Sequence, residues 1–341
     1  MKNLPPLGTT GIGSLPDTDA VKACSKILSF GLTAPFWPQL PKRDFFELMT
    51  VQFSEGFPCI TVDRTSRKTW CQIDDTRTSR IQEFYDKLLK NSPEQFAISR
   101  EFAAGLHTFA DTVPAQSDFV KGHVTGPLTF SLGISDQNGT PIYYDRELRE
   151  AAVHLLAQKA LFEINLLRKI SPNIIIFIDE PILAAYGSSA YVGISEKDVI
   201  SCESELVSAI KSSGAYCGLH CCGNTDWSLV VKTGVDIVSF DAFSYAHSLA
   251  LYADFVSAFL ERGGYLAWGI VPTTAEISTE TADSLVQKLS DGFSLLSSKG
   301  IKRQSLEERA ILTPSCGAGS LSEPLSLRVF QLLADTASLL T

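Results

Sequence analysis

The sequence has no apolar run near the roughly 18 residues that a membrane-spanning helix needs. Its opening residues, Met1-Lys-Asn-Leu-Pro-Pro, lack the apolar core of a secretory signal. Dense Lys/Arg clusters are missing, and a formal charge of −9 offers nothing to nucleic acid or an anionic membrane. No G-x-G-x-x-G turn follows a strand, which argues against a dinucleotide fold. There is no internal repeat, no low-complexity linker and no zinc-finger pair of short Cys/His spacings. What is left is a protein expected to be cytosolic, with neither nucleic-acid nor membrane partners. At 341 residues, 45% of them hydrophobic, it has enough chain for two modest domains or one barrel.

Eight cysteines in a chain this long do not suggest a disulfide framework; in a reducing compartment they are core residues or metal ligands. Cys24, Cys59, Cys71, Cys202 and Cys217 lie in apolar or mixed surroundings and read as core. Cys222 and Cys316 differ, because each is followed by glycine at the end of an apolar run.

Eight strand candidates alternate with helical periods: Thr9–Ser14, Pro58–Asp63, Phe119–Thr125, Asn173–Asp179, a run ending at His220, Asp236–Asp241, Gly264–Ile270 and Ala310–Cys316. One helix is expected over Arg43–Glu55 and a long loop over Arg64–Arg80, with Trp70 as an anchor. Apolar strands separated by helices imply parallel pairing. Eight such units favour an α/β fold of the closed (β/α)8, or TIM-barrel, type over an open sheet, with residues 1–341 as one domain.

Nearly every strand ends in a residue able to do chemistry: Ser14, Asp63, Thr125, Asp179-Glu180, His220 with Cys222, Asp241 and Cys316. In a barrel these ends surround one mouth. His220 and Cys222 are two apart, so in an extended strand they face one way. Asp241 also reads as a helix cap and Asp179-Glu180-Pro181 as a turn. An imidazole, two thiolates and a carboxylate together suit zinc rather than magnesium or calcium. A purely structural zinc, or no metal, is the competing reading. His123 and His247 are read as loop residues in preference to groups that support the site from behind its ligands.

These motifs resemble the catalytic barrel of cobalamin-independent methionine synthase, within the superfamily that includes uroporphyrinogen decarboxylase and corrinoid-dependent methyltransferases. The resemblance rests on Gly11-Ile-Gly-Ser-Leu-Pro16, Val124-Thr-Gly-Pro-Leu-Thr129, Ile178-Asp-Glu-Pro181, His220-x-Cys222, Asp236-Ile-Val-Ser-Phe-Asp241 and Pro314-Ser-Cys-Gly317. It implies zinc on His220, Cys222, Cys316 and Asp241, the last standing where the family has a glutamate. It also implies homocysteine contacts at Ile12, Gly13, Ser14 and Asp179, with Asp63 as a further acidic contact and Glu180 beside Asp179 at the ammonium.

The chain departs from that family in two ways. It is too short for the second, N-terminal half of the folate-dependent enzyme, and Ile270 stands where the family has a histidine thought to protonate the folate. Protonation matters for an amine leaving group but not for methylcobalamin. The expectation is therefore a short, core-type methionine synthase taking its methyl from a corrinoid. No Asp-x-His-x-x-Gly run is present, so the corrinoid would arrive free or on a partner protein. The alternatives are 5-methyltetrahydrofolate as donor, a coenzyme M-type acceptor, a tetrapyrrole decarboxylase, or a non-catalytic corrinoid- or thiol-binding protein.

Overall fold

Short apolar runs punctuated by glycine, proline and polar residues become buried strands, as their composition requires. The computed structural model describes residues 2–90, 92–113, 117–188 and 193–340. Among these, ten strands form: β1 (Gly8–Thr9), β2 (Ile60–Asp63), β3 (Lys68–Cys71), β4 (Val120–Thr125), β5 (Ser135–Asp136), β6 (Ile174–Asp179), β7 (Tyr216–Cys221), β8 (Ile237–Phe240), β9 (Tyr265–Val271) and β10 (Ala310–Pro314). Seven of them make one parallel sheet, in the order β1-β10-β9-β8-β7-β6-β4. Helices run between successive strands, including Arg146–Leu167 before β6, Glu196–Ser212 before β7 and Ala282–Ser298 before β10. Local sequence starts them: the Asp145 carboxylate accepts from the Glu147 and Leu148 N–H groups, and Ser195 and Asp198 form a reciprocal capping box.

Because side chains alternate along a strand, each strand serves two cores. Ile176, Leu219, Val238, Trp268 and Leu312 join the large core that also holds helix residues such as Leu155 and Leu206. Their neighbours Ile175, Phe177, Tyr216, Ile237, Tyr265, Ala267 and Ile311 join Ile12, Ala34 and Phe119 in a separate cluster containing no helix residue. This second cluster marks the inner face of the sheet. Asp179, His220 and Asp241 share its parity, two or four residues further along their strands.

The second expected strand does not belong to this sheet. Residues 60–63 pair antiparallel with β3, and β3 pairs with β5, in a separate three-stranded sheet. The expected loop over Arg64–Arg80 therefore contains a strand and the start of the helix Arg77–Leu88. The helix expected over Arg43–Glu55 is two short pieces, Phe45–Glu47 and Met49–Gln52.

Beside β1 runs the segment 34–39, which sequence reading passed over. It makes isolated parallel bridges, Thr10 with Ala34 and Ser14 with Gln39 on one side, Phe36 with Lys121 on the other. Pro35 and Pro38 remove backbone donors from it, so no continuous ladder forms. No helix among the described residues is long and apolar enough to cross a membrane.

Candidate metal and substrate site

The site is built where β7 and β10 end. His220 is the last inward residue of β7, and Cys222 follows on the same side. Between them Cys221 turns to the helix side, buried, where desolvation pushes its thiol up to about 12. Gly223 then lets the chain pass close to the short turn of helix at Pro181–Ala185, since a Cβ there would stand 2.4 Å from the Ala184 Cβ.

Cys316 arrives on the loop after β10. That loop is tied to β9 by the Ser315 N–H to the Val271 carbonyl at 2.8 Å. It is tied to the segment that follows β1 by Ala318 N–H to the Ser14 carbonyl at 2.9 Å and Gly319 N–H to Ser14 Oγ at 3.2 Å. The sequence-distant Ser14 and Cys316 are thus held on one rim.

The ligand atoms of His220, Cys222 and Cys316 lie within 4.8 Å of one another. His220 Nδ1 meets Ser239 Oγ at 3.0 Å, while its Nε2 is buried with no hydrogen-bond partner. With a proton on Nδ1 shared with Ser239, the Nε2 lone pair is free for a metal. The neighbouring Cys316 and His220 side chains hold the Cys222 thiol well below its ordinary range. A buried lone pair with no partner beside two free cysteine sulfurs fits zinc, which takes nitrogen and sulfur ligands.

Asp241, expected as the fourth ligand, lies outside this group. It sits at the end of β8 as a helix cap, its carboxylate accepting from Ser244 N–H at 2.9 Å. Burial raises its carboxyl, and the charges of Cys222 and His220 reach it.

Asp179 pairs in register with His220 across β6 and β7 and is buried, with Oδ1 unpartnered. Desolvation raises its carboxyl to about 6, against the opposing pull of Lys121. Glu180 does not join it, because the next residue along points to the other face. Its carboxylate accepts from Leu128 N–H at 3.0 Å and Thr129 N–H at 2.6 Å, at the start of the helix Pro127–Gly133, and from the Thr129 hydroxyl. It is fully buried near the equally buried Glu203, and burial raises both carboxyls.

Asp63 is likewise engaged elsewhere. In the β2–β3 hairpin it accepts from Thr65 N–H, Ser66 N–H and the Ser66 hydroxyl, at 2.9, 3.1 and 2.7 Å, which lowers its carboxyl. Ile12 and Gly13 are buried beside Ser14; the Ile12 carbonyl accepts from Lys121 Nζ. Ile270 belongs to the helix-side core rather than the inner face.

Sequence reading missed Ser239 and Lys121 and misplaced His123. His123 is no loop residue: it is a buried inner-face residue of β4. The signal was the alternation Phe119, Lys121, His123, which puts two polar side chains in step with the apolar inner layer. His247 is an exposed residue of the helix Ala242–Leu249.

The same fold is found in a B12-independent methionine synthase from a Shewanella species, solved in complex with selenomethionine. The TM-score is 0.59 at 14% identity, covering 98% of this chain and 98% of that one. A methyltransferase from Methanosarcina mazei matches with a TM-score of 0.53 at 13% identity, over 98% of this chain and 93% of that one. At such identities the likeness is one of fold. No family model matches the sequence, and no curated protein matches it significantly.

Proposed function

We propose that this chain is a zinc-dependent methyltransferase that moves a methyl group to the thiol of L-homocysteine, giving methionine, with a methylated corrinoid as donor. The observation that carries this reading is the convergence of His220, Cys222 and Cys316 beside the buried carboxylate of Asp179. The fold shared with a methionine synthase supports it, and the selenomethionine of that structure supports an amino-acid occupant. The bridges of segment 34–39 further suggest that it closes a (β/α)8 barrel, with residues 1–341 as one domain.

His220, Cys222 and Cys316 would hold the metal, with Asp241 the nearest candidate for a fourth ligand. Bound zinc would supply a positive charge that keeps the homocysteine thiol ionised at neutral pH, well below the usual thiol pKa of about 8.5. Ser239 holds His220 in the tautomer that presents Nε2. Asp179 pairs with the substrate ammonium, and that ion pair keeps its carboxylate ionised despite burial. The backbone at Gly13 and Ser14 receives the carboxylate. A methylated corrinoid would supply the methyl group to that thiolate and would keep the Co–C electron pair itself. The protein's part is positioning.

The corrinoid donor is favoured by the end of β9. Ile270 packs away from the mouth, and its neighbours Gly269 and Val271 carry no proton to give. An amine leaving group, as on a methylated folate, would find no acid there. The B12-independence printed for the Shewanella enzyme belongs to that protein.

Zinc-loaded protein and homocysteine, assayed in parallel with methylcobalamin and 5-methyltetrahydrofolate, test the proposal. Methionine from methylcobalamin alone is expected. Methionine from the folate alone would overturn the donor assignment, and none from either would overturn homocysteine as acceptor.

A further inference from the structure

On the inner face of β4 stands a polar group that the proposed reaction leaves unused. His123 is 2% exposed, and neither Nδ1 nor Nε2 has a hydrogen-bond partner. Its ring lies flat against Trp37, with centroids 3.8 Å apart and planes 22° from parallel, and Phe53 meets it edge-on at 6.5 Å. Trp37 is itself fastened, its indole N–H donating to Glu163 Oε1 at 2.6 Å. The imidazole is therefore rigidly backed on one face and unsatisfied at both nitrogens. Native proteins rarely leave such groups unpaired.

The edge of the ring faces the substrate loop. A Cβ on Gly13 would stand 2.8 Å from His123 Cε1 and 2.9 Å from Nδ1, so only glycine lets this backbone lie against the imidazole. Lys121, two residues earlier on the same face, donates to the Ile12 carbonyl and lies over the Phe177 ring at 4.5 Å. It fixes the loop just before Gly13 and adds positive charge there. Asp179, with its unpartnered oxygen, sits on the neighbouring strand, where Thr125 and Asp179 are paired. The interior is thus polarised, with donors on the β1 and β4 side and a carboxylate on β6. An α-amino acid carries the complementary pair of charges on one carbon.

We propose that His123 is a substrate-binding residue: its imidazole N–H, on the edge facing Gly13, donates to the α-carboxylate of the acceptor. This rests on the homocysteine reading and names the group that selects an amino acid over a simple thiol. Burial and the nearby Lys121 charge hold the imidazole neutral, so it presents one donor and one acceptor.

The test is calorimetric binding to zinc-loaded protein of L-homocysteine and of 3-aminopropane-1-thiol, which keeps the thiol and the amine but lacks the carboxylate. The wild type should prefer homocysteine. His123→Leu should lose roughly 10–100-fold of homocysteine affinity, the worth of a charge-assisted bond, with aminothiol binding unchanged. His123→Gln, which keeps a donor, should recover part of it.

Equal losses for both thiols would mean a structural role and overturn the inference, as would a wild type that does not distinguish them. A wild type that binds neither would instead overturn the homocysteine reading beneath it. Should the variants fail to fold, nitrogen NMR of the imidazole in labelled wild-type protein decides. The His123 signals should move with homocysteine and not with the aminothiol; unmoved signals overturn the proposal.

Discussion

Ser14 and Gly317, 303 positions apart in the chain, touch so closely that a Cβ on Gly317 would stand 2.1 Å from Ser14 Oγ. The contact locks the loop carrying Cys316 onto the segment after β1, joining one metal-ligating candidate to the backbone proposed to hold the substrate carboxylate. Gly317→Ala should therefore cost about 1–3 kcal/mol in stability, as overpacking does. It should also lower both zinc content and homocysteine affinity. Denaturant melts, metal analysis and calorimetry would show this, and an unperturbed zinc stoichiometry would mean the loop adjusts without moving Cys316.

The partner of the ligating histidine gives a second expectation. Ser239→Ala leaves His220 Nδ1 without its partner and should weaken zinc by roughly 10–100-fold, the usual scale for such supporting groups. Cys222→Ser or Cys316→Ser should lower affinity further. Cys221→Ser, on the helix side of the strand, should leave zinc stoichiometry unchanged. Competition with a chromophoric chelator measures all four.

Asp179 and Glu180 should separate cleanly. Asp179→Asn removes the charge proposed to meet the substrate ammonium and should raise KM for homocysteine roughly 10–100-fold with little change in melting temperature. Glu180→Gln replaces an acceptor oxygen at the start of the helix Pro127–Gly133 and should destabilise by about 1–3 kcal/mol. KM measured on the folded fraction of Glu180→Gln should stay near wild type.

Glu163 predicts a pH dependence of stability. Its burial pushes the carboxyl from 4.5 up to about 8, so the folded state keeps a proton that the unfolded chain has lost. A group with a raised folded pKa makes the protein lose stability as pH climbs from the unfolded value toward the folded one. Melting temperature should fall between about pH 5 and 8 through this group, and Glu163→Gln should flatten that slope. An identical slope in wild type and variant would show that Glu163 is ionised when folded.

Particular residues show how far local pattern reaches. The apolar runs at 174–179, 216–221 and 265–271 were legible as strands because burial on both faces leaves a continuous hydrophobic stretch. His220 and Cys222 could be placed on one side by strand parity alone. The same parity separates Asp179 from Glu180, yet adjacency in sequence made them look like one acidic site. Segment 34–39 was illegible for a different reason: its prolines erase the strand signal while the backbone still pairs on both sides. The β-branched run at 60–63 was rightly read as extended, but nothing local says which sheet an extended run will join.

By itself the sequence determined the alternation of strands and helices, the polar residues at strand ends and the facing of His220 with Cys222. Each of these follows from a repeat of two or 3.6 residues and is a property of neighbours in the chain. Only the tertiary structure decided that Cys316 reaches Cys222, that Asp241 caps a helix outside the three-residue group, and that Glu180 bonds to Thr129. It alone set the unpaired imidazole of His123 against Gly13. These depend on contacts between segments tens to hundreds of residues apart, and a local periodicity holds no information about which distant segment packs against it.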